Sequence, residues 1–146
     1  MRKLTNGAES AIINTGGEYM INIADEKRKI LDGTYCSKII VGRQNKHIEG
    51  TREFAQNRDK MKRLSPGSEP SILDADAHEL IEKYKGTGMI DVPKGSEYPR
   101  ETVDTDRIVG KTWVQSMRKY ADTKRIKIFY SSAGVHIVPV SDHEKG

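Results

Sequence analysis

The stretch from residue 124 to residue 139 has the sequence K-R-I-K-I-F-Y-S-S-A-G-V-H-I-V-P. Its first half alternates polar and apolar side chains, which is typical of a strand with one buried face. Ser132-Ala133-Gly134 then predicts a three-residue hairpin loop, because glycine often takes a positive φ at the end of such a loop. The stretch therefore predicts an antiparallel hairpin.

The pairing across this hairpin decides which side chains share a face of the sheet. If Ser131 pairs with Val135, Tyr130 lies opposite His136 on one face, whereas a slip of one residue separates them. Pro139 lacks the N–H group that a central strand needs, so it suits an edge strand or a strand end. We therefore expect Tyr130 and His136 to be neighbours.

Two of the helices expected before the hairpin have clear signals. Asp76 and Glu79 form a capping-box pattern, and Gly86 marks the end of the helix that they begin. The apolar residues of this helix recur at helical spacing and predict a buried face: Ala77, Leu80, Ile81 and Tyr84. An earlier helix extends to Leu64 from Thr51, its expected N-cap. The basic side chains of this earlier helix face either solvent or the phosphates of a nucleic acid.

Weaker signals divide the rest of the chain. A short helix is expected from Glu26 to Leu31, with Asp25 as its cap and Gly33 just beyond its end. The segment between Gly88 and Glu101 is rich in turn residues and predicts an exposed loop. Strands are expected at Ser10–Asn14, Tyr19–Ile23, Cys36–Val41 and Arg107–Val114. The fold class predicted from these elements is α+β.

The composition fits one folded domain with an anionic partner. Of the 146 residues, 35% are hydrophobic and 32% are charged, which is enough apolar surface for one core. The formal net charge of +4 suits nucleic acid. The single cysteine, Cys36, excludes an internal disulfide framework and a cysteine-rich zinc site. Because the sequence shows neither a secretory signal nor a stretch of about 18 apolar residues, we expect a soluble protein in a reducing compartment.

A second informative stretch is strongly polar: Arg43-Gln44-Asn45-Lys46-His47-Ile48-Glu49-Gly50-Thr51. Burying each of these hydrogen-bonding groups without a partner would cost about 1–3 kcal/mol, so the stretch predicts a surface site. His47 in this stretch and His136 in the hairpin are each flanked by groups that can position them. Near neutral pH one imidazole can accept a proton while the other donates one.

Two histidines and a neighbouring cation suffice for metal-free cleavage of RNA. The 2′-hydroxyl would attack the adjacent phosphorus and yield a 2′,3′-cyclic phosphate and a 5′-hydroxyl. The other two histidines, His78 and His143, lie on the polar side of a helix and in a charged tail, and we assign them no role. The sequence contains no H-E-x-x-H, no G-x-x-x-x-G-K-[ST] and no G-x-S-x-G. We therefore expect neither a metal site nor a cofactor.

Three motifs resemble the polymorphic toxin type 50 family and occur in the same order. They are Gln44-Asn45-Lys46-His47-Ile48-x-Gly50-Thr51, Glu82-Lys83-Tyr84-x-Gly86-Thr87-Gly88 and Tyr130-Ser131-x-x-Gly134-x-His136-Ile137-Val138-Pro139. That family occurs at the C-termini of bacterial polymorphic toxins and phage minor capsid proteins. The resemblance covers residues 41–140, which leaves residues 1–40 as an N-terminal segment or linker and residues 141–146 as a tail.

The resemblance implies a fold of the barnase–EndoU–colicin–RelE type, in which N-terminal helices pack on a four-stranded antiparallel sheet. It also implies a metal-independent endoribonuclease toxin. His47 and His136 then share acid–base catalysis in an order that the sequence leaves open, and Lys46 with Arg107 stabilises the phosphorane. Tyr130 is a further expected catalytic residue, and the other side chains expected to orient or contact the substrate are Arg43, Asn45, Thr51, Ser131 and Ser132.

Two positions depart from the pattern of the family. Glu49 stands where proline is usual, which changes the stiffness of the loop and adds a negative charge near the site. Phe129 stands where histidine is frequent, so the acid–base pair rests on His47 and His136 alone.

A nuclease toxin implies further partners. We expect an RNA substrate, an acidic cognate immunity protein that covers the basic site, and fusion to or association with a phage capsid or toxin-delivery protein. The activity is expected in the cytoplasm of the target cell, without membrane contact. The alternative is a non-catalytic nucleic-acid-binding or phage structural domain with the same fold.

Overall fold

The computed structural model of the chain describes residues 11–12 and 21–142. The helices are α1 (Ile23–Leu31), α2 (Val41–Gln44), α3 (Arg52–Leu64) and α4 (Ala77–Tyr84). The strands are β1 (Ala11–Ile12), β2 (Ile21–Asn22), β3 (Ile72–Leu73), β4 (Met89–Asp91), β5 (Arg100–Asp104), β6 (Gly110–Val114), β7 (Lys119–Thr123), β8 (Arg125–Tyr130) and β9 (Val135–Val140). The expected α+β class is confirmed.

A four-stranded antiparallel sheet in the order β4-β5-β8-β9 forms the centre of the fold. The alternation in β8 and β9 gives this sheet one buried face and one open face. The sheet confirms the expected four-stranded arrangement. The prediction of an exposed loop between Gly88 and Glu101 is wrong, because Met89–Asp91 forms a strand that pairs with the first three residues of β5. Only residues 92–99 form the connection.

The buried face of this sheet carries the core. Side chains of β8 and β9 pack there with α4 and α1, and the fully buried members include Ile30, Leu80, Ile81, Ile126, Ile128, Val135 and Ile137. Helix α4 begins as predicted, since the Asp76 side chain accepts a hydrogen bond of 3.0 Å from the amide of Glu79. The capping motif and the apolar spacing of α4 together fix the helix against the sheet.

Helix α1 is longer at its N-terminus than the sequence suggests. Its cap is Asn22, whose side-chain oxygen accepts a 3.0 Å hydrogen bond from the amide of Asp25, so the expected Asp25 cap is wrong. Gly33 has a φ of 85°, as predicted for the residue beyond the helix. Ile30 and Tyr35 both belong to the hydrophobic core. The domain boundary at residue 40 stays a prediction.

A second, three-stranded sheet in the order β3-β6-β7 lies beside the first. The strand expected over Arg107–Val114 is shorter and starts at Gly110, and its partner β7 has no counterpart among the expected strands. The rings of Trp113 and Tyr120 pack edge to face across the pair, with 5.2 Å between their centroids. Such aromatic cross-strand contacts stabilise a two-stranded ribbon.

The strand expected over Cys36–Val41 is wrong. Ile39 forms an isolated parallel bridge with Val135, and helix α2 begins directly afterwards. The reason is that the carbonyl of Ile40 accepts the amides of Arg43 and Gln44, which turns the chain into a helix. Of the two strands expected earlier in the chain, the described parts are β1 and β2, which pair with each other. None of the helices within the described ranges is long and apolar enough to cross a membrane.

The hairpin between β8 and β9 has a four-residue loop rather than the expected three. The Ser131 hydroxyl accepts the amides of Ala133 and Gly134 and donates to the carbonyl of Gly134. This local ring of hydrogen bonds keeps Ser131 in the loop, so the last pair of the ladder is Tyr130 with Val135. The expected register is therefore wrong by one residue, and the consequence for the site is large.

Candidate functional site

The polar stretch of residues 43–51 is attached to the free edge of β9 by Gln44. This side chain is buried, and its amide donates a 2.9 Å hydrogen bond to the carbonyl of Ile137 and accepts one of 2.8 Å from the amide of the same residue. The backbone of residues 38–40 also pairs with Val135. The two histidine motifs, far apart in sequence, therefore meet at one edge of the sheet.

Gly134 allows this close approach. It has a φ of 147°, and a Cβ at this position would lie 2.5 Å from the carbonyl oxygen of Lys38. A larger residue would push residues 38–40 away from the hairpin. The glycine of the third sequence motif thus serves the contact between the two motifs.

His47 lies at the end of a 3-10 turn, Asn45–His47, with its ring held by Ser71. The Nδ1 atom is 3.1 Å from the backbone carbonyl oxygen of Ser71 and 3.0 Å from the hydroxyl of the same residue. A carbonyl only accepts, so this contact requires a proton on Nδ1 and leaves Nε2 for other partners. Burial lowers the pKa of His47, and the charge of Lys46 acts in the same direction, against the hydrogen bond to Ser71.

His136 projects from β9 onto the open face of the sheet, where it is partly buried. Its imidazole stacks on the ring of Phe129, with 5.0 Å between the centroids and 12° between the planes. Burial lowers the pKa of His136 to about 4, and the charges of Arg43, His47 and Lys46 contribute to the shift. These three groups therefore lie near enough to His136 to act on its charge.

On the open face, His136 is the last member of a row of side chains that crosses the sheet. The strand registers align Asp91, Arg100, Phe129 and His136 in one cross-strand row. The guanidinium of Arg100 donates to the carboxylate of Asp91 through Nε at 3.1 Å and Nη2 at 3.1 Å. A groove of about 590 Å³ is lined by Arg100, Phe129 and His136 of this row and also by Arg43. Cations, aromatic rings and an imidazole thus share one surface.

Tyr130 lies on the other face. Since Phe129 is the cross-strand partner of His136, the Tyr130 side chain points into the core, and the expectation that it neighbours His136 is wrong. Its hydroxyl donates a 2.6 Å hydrogen bond to the buried carboxylate of Glu101. Burial and this carboxylate raise the pKa of Tyr130. The structure does not bring this hydroxyl to the histidines.

The carboxylate of Glu101 binds the backbone of Gly86 and Gly88, the two glycines of the second sequence motif. Besides the Tyr130 hydroxyl, it accepts their amides at 2.9 Å and 2.6 Å. A Cβ at Gly88 would lie 2.2 Å from the carbonyl oxygen of Thr102. Three hydrogen bonds therefore satisfy a fully buried carboxylate and join the turn after α4 to β5 and β8.

Four expected substrate contacts serve the local structure instead of facing the groove freely. Thr51 caps α3 by accepting the amide of Phe54 at 3.1 Å and donates to backbone carbonyls of the preceding loop. The Asn45 side chain donates to Glu53 at 3.3 Å. Ser131 closes the hairpin loop, and the Ser132 hydroxyl lies 3.1 Å from that of Tyr98. Their assignment to substrate binding stays a prediction.

Arg107 lies away from the two histidines. It follows β5 at the end marked by Asp104, whereas the other end of that strand, Arg100, lies in the row of His136. The structure therefore brings together four of the predicted residues: Arg43, Lys46, His47 and His136.

In the described ranges, no three side chains of histidine, cysteine, aspartate or glutamate form a group able to hold a metal ion.

Sequence reasoning missed the residues that hold the site together. Gln44 is inside the first motif but carries no reactive group, and Ser71 acts through its backbone carbonyl, which leaves no signal in the sequence. Arg100 and Tyr98 were assigned to a loop without a function. The pairing of Arg100 with Phe129, which places Arg100 on the open face, has no local signal in the sequence.

A family model described as Bacterial toxin 50 matches residues 39–139. The chain belongs to the Bacterial toxin 50 family. The resemblance inferred from three motifs is thereby confirmed, and the protein contains a bacterial toxin domain. The Bacterial toxin 50 match begins at Ile39, which bridges to Val135, and it includes both site histidines and the described strands from β3 to all but the last residue of β9. No curated protein and no solved structure matches the chain.

Proposed function

We propose that this toxin domain is an endoribonuclease that cleaves RNA through the substrate's own 2′-hydroxyl. The observation that carries the proposal is the pairing of Gln44 with Ile137, which places the loop of Arg43, Lys46 and His47 beside His136 at the edge of an open sheet face. The two imidazoles supply both proton transfers, and the two cations stabilise the charge on the phosphate. The proposed reaction therefore needs no metal.

The different surroundings of the histidines favour one assignment of roles. His136 has a pKa of about 4 and is neutral at physiological pH, so it acts as the base that takes the proton of the 2′-hydroxyl. The freed oxygen attacks phosphorus, and the bond to the 5′-oxygen breaks. His47 acts as the acid in its imidazolium form: its Nδ1–H donates to the carbonyl of Ser71, and its second proton, on Nε2, passes to the leaving oxygen. The products are a 2′,3′-cyclic phosphate and a 5′-hydroxyl.

Arg43 and Lys46 stabilise the negative charge that develops on phosphorus. Both side chains are exposed, and both act on His136, which is where the phosphate would bind. Fixed cations at a developing charge lower the barrier without reorganisation of solvent. The loop around them is anchored by Gln44 and by the Thr51 cap. A cation on an anchored loop is pre-positioned for this role.

The test is an RNA cleavage assay in the presence of a strong chelator. The wild type should cut, and His47→Ala and His136→Ala should each lower the rate by about 10²–10⁴-fold. His78→Ala is the matched control, because His78 is an exposed residue of α4. Cleavage that stops in chelator and returns with a divalent metal would overturn the proposal. A wild type that binds RNA and never cuts would support the non-catalytic alternative.

The proposed activity also implies partners. A nuclease with this surface needs an inhibitor in the cell that makes it, and an acidic immunity protein would complement Arg43, Lys46 and Arg100. The family description as a bacterial toxin supports delivery into a target cell, where RNA lies in the cytoplasm. Fusion to a phage capsid or toxin-delivery protein is the route that we propose. Co-expression with such an acidic inhibitor should relieve toxicity of the wild type.

A further inference from the structure

The groove beside His136 contains groups that the proton transfers do not use. It has a volume of about 590 Å³, within the usual range of about 300–1,000 Å³ for small-molecule sites. Its lining includes Tyr98 and Phe129, with Arg43 and Arg100 as cations. Neither aromatic ring takes part in the proposed chemistry, and both line the groove.

Both rings are held in place by neighbours. Tyr98 packs edge to face on Tyr35, with 5.9 Å between centroids, and its hydroxyl lies 3.1 Å from that of Ser132. Phe129 is fixed on its strand and parallel to His136. A rigid aromatic surface loses little entropy when a planar ligand stacks on it. The groove is thus built before any ligand arrives.

The positive charges of Arg43 and Arg100 favour a planar ligand that carries a negative charge. Arg43 and His136 line the same groove, and Arg43 is the cation that accompanies a phosphate bound beside His136. Arg100 lies one strand beyond Phe129 and is oriented by Asp91. A planar aromatic group that is attached to a phosphate matches this order of cation, ring and imidazole. Single-stranded nucleic acid supplies such groups, and aromatic side chains bind its bases by stacking.

We propose that this groove is a nucleobase subsite, which holds the base of a nucleotide adjacent to the scissile phosphate against Tyr98 and Phe129. The inference rests on the proposed ribonuclease function and gives it a substrate preference for unpaired RNA, since a base inside a duplex cannot enter the groove. Stacking tolerates any base, so the subsite orients the strand more than it reads its sequence.

The experiment measures binding without cleavage. The probes are a dinucleotide with a 2′-methoxy group, which cannot be cut by 2′-attack, and two forms that lack the base on either side of the phosphate. Dissociation constants for the wild type come from NMR titration. Removal of one of the two bases should weaken binding about 5- to 150-fold, the range for loss of one base stack. Equal affinity of all three probes would overturn the subsite.

Variants connect the effect to the groove. Tyr98→Leu should weaken binding of the intact dinucleotide. It should not change the affinity of the base-free probe that binds weakly to the wild type, because that probe already lacks the base that stacks on Tyr98. Trp113→Leu, in the second sheet, is the matched control and should change neither affinity. Phe129→Leu repeats the test if Tyr98→Leu fails to fold. A base effect of the same size in wild type and both groove variants would contradict the proposal.

The outcome is separable from that of the proposed function. Because the probe is not cut, the base effect is measured whether or not the protein is a nuclease. A wild type that shows the base effect but leaves ordinary RNA intact would contradict the ribonuclease proposal alone. A wild type that cuts RNA but shows no base effect would contradict the subsite alone.

Discussion

The side-chain amide of Gln44 forms two hydrogen bonds with the backbone of Ile137, the residue next to His136. The amide pairs with the outer edge of β9 much as another strand would, with one donor and one acceptor. This contact fixes the loop that carries Arg43, Lys46 and His47 relative to the hairpin that carries His136. The acid–base site therefore depends on a residue that has no chemical role.

Replacing Gln44 with leucine should destabilise the protein. The change leaves the amide and carbonyl of Ile137 buried without partners, each at a cost of about 1–3 kcal/mol. The free energy of unfolding, measured in urea, should fall by about 2–6 kcal/mol, the cost of the two groups together. Gln56→Leu is the matched control, because Gln56 is exposed on α3. Similar losses for the two variants would show that the Gln44 contact adds no particular stability.

Replacing Tyr130 with phenylalanine separates stability from catalysis. The hydroxyl serves the buried carboxylate of Glu101, and a hydrogen bond to a charged group contributes about 1.5–3 kcal/mol. We expect a loss of stability of this order in urea unfolding, while cleavage of RNA at a temperature where the variant is folded changes little. A folded Tyr130→Phe protein that loses cleavage by two orders of magnitude would restore the catalytic role expected from the sequence.

The sequence predicted the elements whose signals are local. Helix α4 has its cap, its apolar face and its terminating glycine within a few residues of one another, and α3 begins at the predicted Thr51. Interactions at spacings of three and four residues determine such helices. The alternation of β8 and β9 is likewise written in consecutive residues.

The errors arise where side-chain hydrogen bonds that residue type alone does not reveal determine the structure. The register of the hairpin depends on the hydroxyl of Ser131, which keeps that residue in the loop and moves Phe129 opposite His136. The strand predicted over Cys36–Val41 is reduced to the bridge of Ile39 with Val135, because the chain turns into α2 at Val41 and the side chain of Gln44 pairs with the next part of β9. For the site, residue types identified His47 and His136. Tyr130 was misplaced because period 2 turns a one-residue slip into a change of face.

The pH dependence of kcat/KM should be bell-shaped and acidic. The rate should rise as His136 loses its proton, at a pKa of about 4. It should fall as His47 loses its proton, at a pKa below the ordinary value of 6.5. Bound phosphate raises both values, so the profile of kcat should lie at higher pH than that of kcat/KM. A profile of kcat/KM that still rises above pH 6.5 would contradict the assigned roles.

Replacing Leu80 with alanine tests the placement of α4. Leu80 is 2% exposed in the core, and its truncation should lower the free energy of unfolding by about 2–5 kcal/mol through lost burial and a cavity. Leu64→Ala provides the matched control, since Leu64 is 69% exposed at the end of α3. Its effect should lie within about 0.5 kcal/mol of zero. Urea unfolding of both variants measures the difference, and equal costs would mean that α4 does not pack as described.

The central claim is that His47 and His136 move protons for an attack by the 2′-hydroxyl of RNA. The most direct measurement is the mass of the fragments from an oligonucleotide with a defined cut site, treated with wild-type protein in chelator. The account predicts a 2′,3′-cyclic phosphate on one fragment, a 5′-hydroxyl on the other, and no product when a single 2′-deoxy nucleotide occupies the cut site. Fragments with a 5′-phosphate, or equal cutting of the 2′-deoxy strand, would contradict it.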